Sequence, residues 1–281
     1  MIKNILKGAV VGIANIIPGV SGGTMMVVMG IYDALIHSLT HLLKEFKKSI
    51  SVLAPILIGA ALGIVGLSFL IEKMFDMIPT QTNLLFIGLI LGGLPAMTKK
   101  VKEEKIKPGY IVAFLLFFAV VVGSAALGSA EGRAADLSIN LFSIIKLFGV
   151  GIVASATMVI PGVSGSMMLM LMGYYNPIIE TINSFIKSLV AFDLAGIWEG
   201  FCVLCPFGIG VVLGIFIIAK LVEIVFEKFP LYAYWAIIGL IIASPFAILL
   251  LSNFGTITVV TVLTSIVTFV IGFFIARKLG E

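Results

Sequence analysis

Charged side chains are scarce in this chain of 281 residues: Asp, Glu, Lys and Arg make up 11% of it, against about 25% in an average soluble domain. Cysteine, histidine and tryptophan occur twice each, and Arg133 is the only arginine outside the C-terminal tail. These shortages exclude several classes. The net charge of +4 is too thinly spread for a nucleic-acid footprint and reads as a membrane orientation signal. Cys202 and Cys205 have redox or metal half-site spacing, but they sit in an apolar span with no second pair and read as packing residues. No Walker or dinucleotide pattern precedes a soluble domain, so ATP hydrolysis is not expected. Lys3 and Lys7 precede an apolar run that leads into a Pro-Gly break without a small-residue cleavage site, so no cleavable signal peptide is expected. His37 and His41 lie four apart, with Glu45 continuing the face. They read as a half-polar interfacial helix, because a zinc site would need further ligands. No metal or cofactor is expected.

Apolar residues are abundant instead: 60% of the chain is hydrophobic and the mean hydropathy is +1.23. The class is therefore an all-α polytopic membrane protein. Within it one segment occurs twice, as Pro18-Gly19-Val20-Ser21-Gly22-Gly23-Thr24 and as Pro161-Gly162-Val163-Ser164-Gly165-Ser166. Proline and glycine interrupt a helix there and free amides that hydrocarbon cannot satisfy, so such a break must be buried in protein or line a polar cavity. The repetition continues around the motif. Gly8 matches Gly151, Gly30 and Tyr32 match Gly173 and Tyr175, and Ile58–Ile64 echoes Ile209–Ile215. Ile87–Ile90 likewise echoes Ile238–Ile241. The chain reads as one unit duplicated, residues 1–137 and 138–281.

Each half carries three spans near the roughly 20 residues needed to cross: about 50–71, 83–98 and 109–128, then 200–221, 231–251 and 256–276. Before them lie the broken segments, 5–36 and 141–186, each predicted as a re-entrant hairpin; two tilted full crossings give the same topology. With the N-terminus inside, fourteen of the 18 basic residues are cytoplasmic, and only Lys73, Arg133, Lys146 and Lys187 lie outside. Three crossings per half is odd, so the halves form an inverted-topology repeat with both termini cytoplasmic, an arrangement suited to alternating access.

A helix restarting after Gly22-Gly23 or Gly165-Ser166 leaves its first amides unpaired. Ser21, Thr24, Ser164 and Ser166 add hydroxyls, and glycine allows close backbone approach. That chemistry suits phosphate or carboxylate; the alternative is a pair of packing kinks. Asp33 reads as an interfacial cap at the exit of the hairpin, with a coupling-ion or proton role as the alternative. Glu72 and Glu223 read as interfacial anchors. Arg133 and Lys146 read as solvated charges that could instead capture a lipid phosphate.

The paired Pro-Gly-Val-Ser-Gly motifs, the Gly-x-Tyr that follows each (Gly30–Tyr32 and Gly173–Tyr175) and the chain length resemble the PopT family of bacterial polyprenyl-phosphate translocases. The likeness covers essentially the whole chain. It implies a non-enzymatic carrier in the cytoplasmic membrane that returns undecaprenyl phosphate from the outer to the inner leaflet for cell-wall synthesis. The lipid and the bilayer are then the partners, and a homo-oligomer is compatible with the sequence. Two other readings stand beside it: a membrane undecaprenyl-pyrophosphate phosphatase, for which neither Ser21 nor Ser164 has an acid–base neighbour within the motif, and a small-anion transporter or channel.

Overall fold

The computed structural model describes residues 2–15, 20–127, 135, 137–162 and 165–280. Pro18, Gly19, Arg133 and Ser164 lie outside the described residues, as does the side chain of Ser166. Among the described residues there are twelve α-helices and no strand. In order they are α1 (Ile2–Ala14), α2 (Gly22–Val28), α3 (Tyr32–Thr40), α4 (Phe46–Met77), α5 (Pro79–Lys99) and α6 (Pro108–Leu127). The second half gives α7 (Leu141–Val159), α8 (Gly165–Leu171), α9 (Tyr175–Ala191), α10 (Leu194–Lys228), α11 (Pro230–Leu251) and α12 (Val259–Gly280).

Seven of these are long and apolar enough to cross a membrane: α4 through Phe46–Leu67, α5, α6, α7, α10, α11 and α12. The sequence predicts six of them. The seventh is α7, whose 19 residues extend about 28 Å at 1.5 Å per residue, close to the roughly 30 Å of a hydrocarbon core. By contrast α1, with 13 residues, reaches only about 20 Å. Helix α10 is also longer than predicted, 35 residues with Pro206 inside it. Pro79 and Pro230 sit in the first turns of α5 and α11, where the missing amide proton costs nothing.

The chain also turns within the first broken segment, beyond the break itself. Residues 25–36, predicted as one limb, are two helices: α2 and α3 meet at 114°. The corner is Gly30, at φ +64, a left-handed conformation open to glycine at little steric cost. Gly173, its repeat counterpart, has φ +76 and separates α8 from α9 in the same way.

The chain divides into two compact units. The first comprises residues 1–126, 160–162 and 219–281; the second comprises 127–159 and 163–218. In the first unit α1 lies along α4 with no room between them. A Cβ on Gly8 would strike the Ile56 carbonyl, one on Gly12 that of Ala60, and one on Gly59 that of Ile5. In the second unit α7 lies along α10 by the same device: Gly151 faces the Phe207 carbonyl, and Gly210 faces that of Phe148. The alignment that matches Gly8 with Gly151 and Gly59 with Gly210 also matches Ile5 with Phe148 and Ile56 with Phe207. Equivalent residues thus make equivalent contacts in the two units, close helix approach through small residues being the usual membrane packing.

The first unit is centred on α5 and α11, whose most apolar windows are 56% and 61% buried, against 17% for α6, α10 and α12. On α12, Leu263, Ile266, Val267, Val270 and Phe274 face outward, a surface matched to lipid and not to water. Helix α12 packs on α5 through Gly88 against Phe269 and Gly272 against Leu85, helped by Thr268 donating to the Gln81 carbonyl at 2.8 Å.

Candidate functional site

The first break is a closed, polar junction. Ser21 has extended backbone (φ −98, ψ 131) at the start of α2 and makes no side-chain capping bond. The first amides of α2, those of Gly22, Gly23 and Thr24, are therefore left uncapped by its side chain. Ser21 is 5% exposed and Thr24 is fully buried. Among the described residues the Thr24 hydroxyl has no hydrogen-bond partner, and burying one unpaired costs about 1–3 kcal/mol.

Within the first unit, the structure brings Pro161 and Gly162 of the second break to the first. A Cβ built on Gly23 would lie 3.0 Å from the Pro161 Cα and 3.2 Å from its nitrogen. Gly162 continues the turn at φ +86, against Leu240 and Val121. Thus Ser21, Gly22, Gly23, Thr24, Pro161 and Gly162 belong to one place. Gly165 lies in the second unit, where its Cβ would come within 3.1 Å of Thr157 Oγ1; that hydroxyl donates to the Ala154 carbonyl at 2.7 Å.

Helix α2 runs back along α1, held at both ends. Gly22 touches the Asn15 side chain. At the other end the Lys7 ammonium donates to the Met29 carbonyl at 2.6 Å. Lys7 is only 7% exposed, and among the described residues it forms no ion pair. It caps the carbonyl end of α2, where the partial charge is negative. Its position was readable: Lys7, Gly8, Val11 and Gly12 share the buried stripe of α1.

The remaining candidates lie apart from the junction. Tyr32 is buried, its ring 6.3 Å from that of Phe226. Asp33 lines a cavity of about 170 Å³ with Tyr32, Lys100, Tyr234 and Gly280, at the Gly30 end of α2. That is about 10 Å along the seven-residue helix from Gly22. Lys146 is exposed near the start of α7, over the Phe142 ring at 4.3 Å, and thirteen helical positions, about 20 Å, separate it from Val159. Tyr175 packs against Val150, Ala154, Leu169 and Ile178. A larger cavity of about 840 Å³ lies in the second unit. Glu180, Asp193 and Glu199 line it, which disfavours an anionic guest.

A chain all-helical among its described residues, with seven apolar spanning candidates and a Pro-Gly break in each half, Pro161 of one against Gly23 of the other, is a multi-pass membrane protein. Comparison with known proteins narrows the class. Residues 11–251 match the family described as undecaprenyl phosphate translocase-like, and the chain belongs to that family. A polyprenyl-phosphate transporter of Staphylococcus aureus (strain NCTC 8325 / PS 47) is 31% identical over 284 residues, covering 99% of this chain and 95% of the relative. A polyprenyl-phosphate transporter of Vibrio cholerae serotype O1 is 29% identical over 206 residues, 68% of this chain and 63% of the relative. No solved structure matches the chain.

Proposed function

We propose that this chain is a polyprenyl-phosphate translocase that returns undecaprenyl phosphate from the outer to the inner leaflet of the bacterial cytoplasmic membrane, supplying cell-envelope synthesis. Family membership and the names of both relatives support the substrate class. The observation that carries the mechanism is the junction itself: Gly23 packed on Pro161, beside a buried Thr24 hydroxyl that has no partner among the described residues. A phosphate passing through hydrocarbon must exchange its water for fixed donors. The Gly22, Gly23 and Thr24 amides with the Ser21 and Thr24 hydroxyls are such a set, and the matched Ser164–Ser166 segment is its counterpart. The polyprenyl tail stays in lipid, along the apolar outer faces.

The halves act as an inverted-topology repeat that alternates access, with both termini cytoplasmic. The repeat-matched contacts of α1 with α4 and of α7 with α10 support the duplication, and the distribution of basic residues supports the orientation. Helix α1, too short to cross, and the antiparallel α2 form a re-entrant hairpin. If α7 crosses fully and α8–α9 return, the second half keeps the same sidedness. The protein makes and breaks no covalent bond.

The test is outer-leaflet labelling of undecaprenyl phosphate in cells with and without the chain, paired with purified protein in liposomes. Cells lacking the chain should accumulate the outer-leaflet lipid. Unchanged labelling together with phosphate release from undecaprenyl pyrophosphate would favour the phosphatase; uptake of soluble phosphate that lipid does not compete away would favour a small-anion carrier.

A further inference from the structure

The histidine pair finds its missing partner in the fold. His37, in the last turn of α3, and His41, which caps the end of that helix, stand one turn apart, with rings 4.2 Å between centroids and 9° from parallel. The acid that meets them is not Glu45, which instead pairs with Lys48 at 2.7 Å. It is Glu223, near the end of α10 and 8% exposed. Glu223 Oε1 lies 3.3 Å from His41 Nδ1 and accepts a 2.9 Å hydrogen bond from Thr40 Oγ1. Its Oε2 accepts from Lys220 Nζ at 2.6 Å. One ligand atom from each of His37, His41 and Glu223 falls within 4.8 Å of the others.

We propose that His37, His41 and Glu223 Oε1 bind one divalent transition-metal ion, with Zn2+ the best-matched occupant and water in a fourth position. Three observations converge on it. Two donors on one tetrahedral zinc, each about 2.0–2.2 Å from it, stand about 3.3–3.5 Å apart; the His41–Glu223 separation already has that value. Histidines four apart on a helix present both rings to one ion, the spacing used in helix-borne zinc sites. Lys220 occupies the other carboxylate oxygen and orients the ligating one, as outer-shell partners of metal ligands do. Closing the remaining gap takes a rotation of His37, which is exposed. The ion would tie α3 to the end of α10, a link between chain segments about 180 positions apart. This site is separate from the anion junction, and the translocase assignment does not depend on it.

The experiment uses the full chain in detergent, freed of any histidine tag and of metal by chelator, titrated with Co2+ and then back-titrated with Zn2+. One equivalent of Co2+ should bind with the visible absorption of a tetrahedral N/O site, and Zn2+ should displace it. His37→Ala and Glu223→Gln should each weaken binding about tenfold or more, while Glu45→Gln should leave it unchanged. Absence of one-equivalent binding by the wild-type chain overturns the proposal. So does undiminished binding by a folded His37→Ala variant, or a loss equally large in Glu45→Gln. Should Glu223→Gln fail to fold, His37→Ala decides, because His37 is exposed and its loss leaves the Thr40, His41 and Lys220 contacts of Glu223 in place.

Discussion

Adding one methyl group at Gly23 tests whether the two breaks must touch for transport. An alanine Cβ there would sit 3.0 Å from Pro161 Cα and 3.2 Å from Pro161 N, both backbone atoms that no rotamer change can remove. Overpacking of this kind costs about 1–3 kcal/mol. If the apposed arrangement is one state of the transport cycle, it becomes about 5- to 150-fold less populated, and transport should slow by a comparable factor. Gly22 supplies the control. Its Cβ would meet first the amide end of Asn15, an exposed side chain that can swing away by giving up its 3.1 Å hydrogen bond to the Val11 carbonyl, so Gly22→Ala should cost at most about 0.5–1.5 kcal/mol. Gly22→Ala with Asn15→Ala should restore wild-type rates. The assay is translocation of labelled polyprenyl phosphate in liposomes at matched protein content. Wild-type transport by Gly23→Ala, with Gly22→Ala crippled, would refute the apposition argument, since sterics at the junction demand the opposite order.

Thr24→Val removes a buried hydroxyl that has no partner among the described residues, so the variant should be at least as stable to heat as the wild type. It should nevertheless bind lipid phosphate less tightly, by about tenfold or more for a bond to a charged group; unchanged affinity would remove Thr24 from the site. Lys7→Ala leaves the Met29 carbonyl without its 2.6 Å donor and should destabilise the protein by about 1–3 kcal/mol, read as a lower thermal midpoint in detergent, whereas an unshifted midpoint would show that Lys7 does not hold α2. Single cysteines at Lys102 and Gly280 should resist an impermeant thiol reagent in intact cells while one at Gly132 reacts; labelling at Lys102 would overturn the proposed orientation.

The spans were legible because each is a long apolar run, and α5, α6, α11 and α12 begin or end within a few residues of where hydropathy puts them. The corners were not. Met29-Gly30-Ile31 lies inside an apolar stretch, and hydropathy cannot tell a glycine that turns the chain from one that packs it. Gly59 and Gly30 look alike in sequence, yet one abuts the Ile5 carbonyl across a helix pair and the other has φ +64. The pairing of His41 with Glu223 was invisible for a different reason: periodicity reports which face of a helix is apolar, not which distant helix will cover it. Glu45 was the acid that helical spacing offered, and tertiary packing chose another.

Duplication reduces part of that ambiguity, because a glycine kept at matched positions must do the same work in two contexts. Gly8 and Gly151 each stand against a carbonyl of the following long helix, and Gly30 and Gly173 each turn a short helix into the next at positive φ. Alanine distinguishes these duties experimentally. At Gly8 or Gly151 it forces two helices apart, a packing loss felt as stability; at Gly30 or Gly173 it strains the backbone of the residue itself, and at Gly30 it also comes within 3.1 Å of the Gly280 carbonyl. Gly23 belongs to neither pair. Its repeat counterpart is Ser166, and the surface it presses on is the other break. The repeat is therefore unequal at its centre, with a glycine in one half making room for the proline of the other, and the alanine variant at Gly23 probes a contact that the repeat by itself did not foretell.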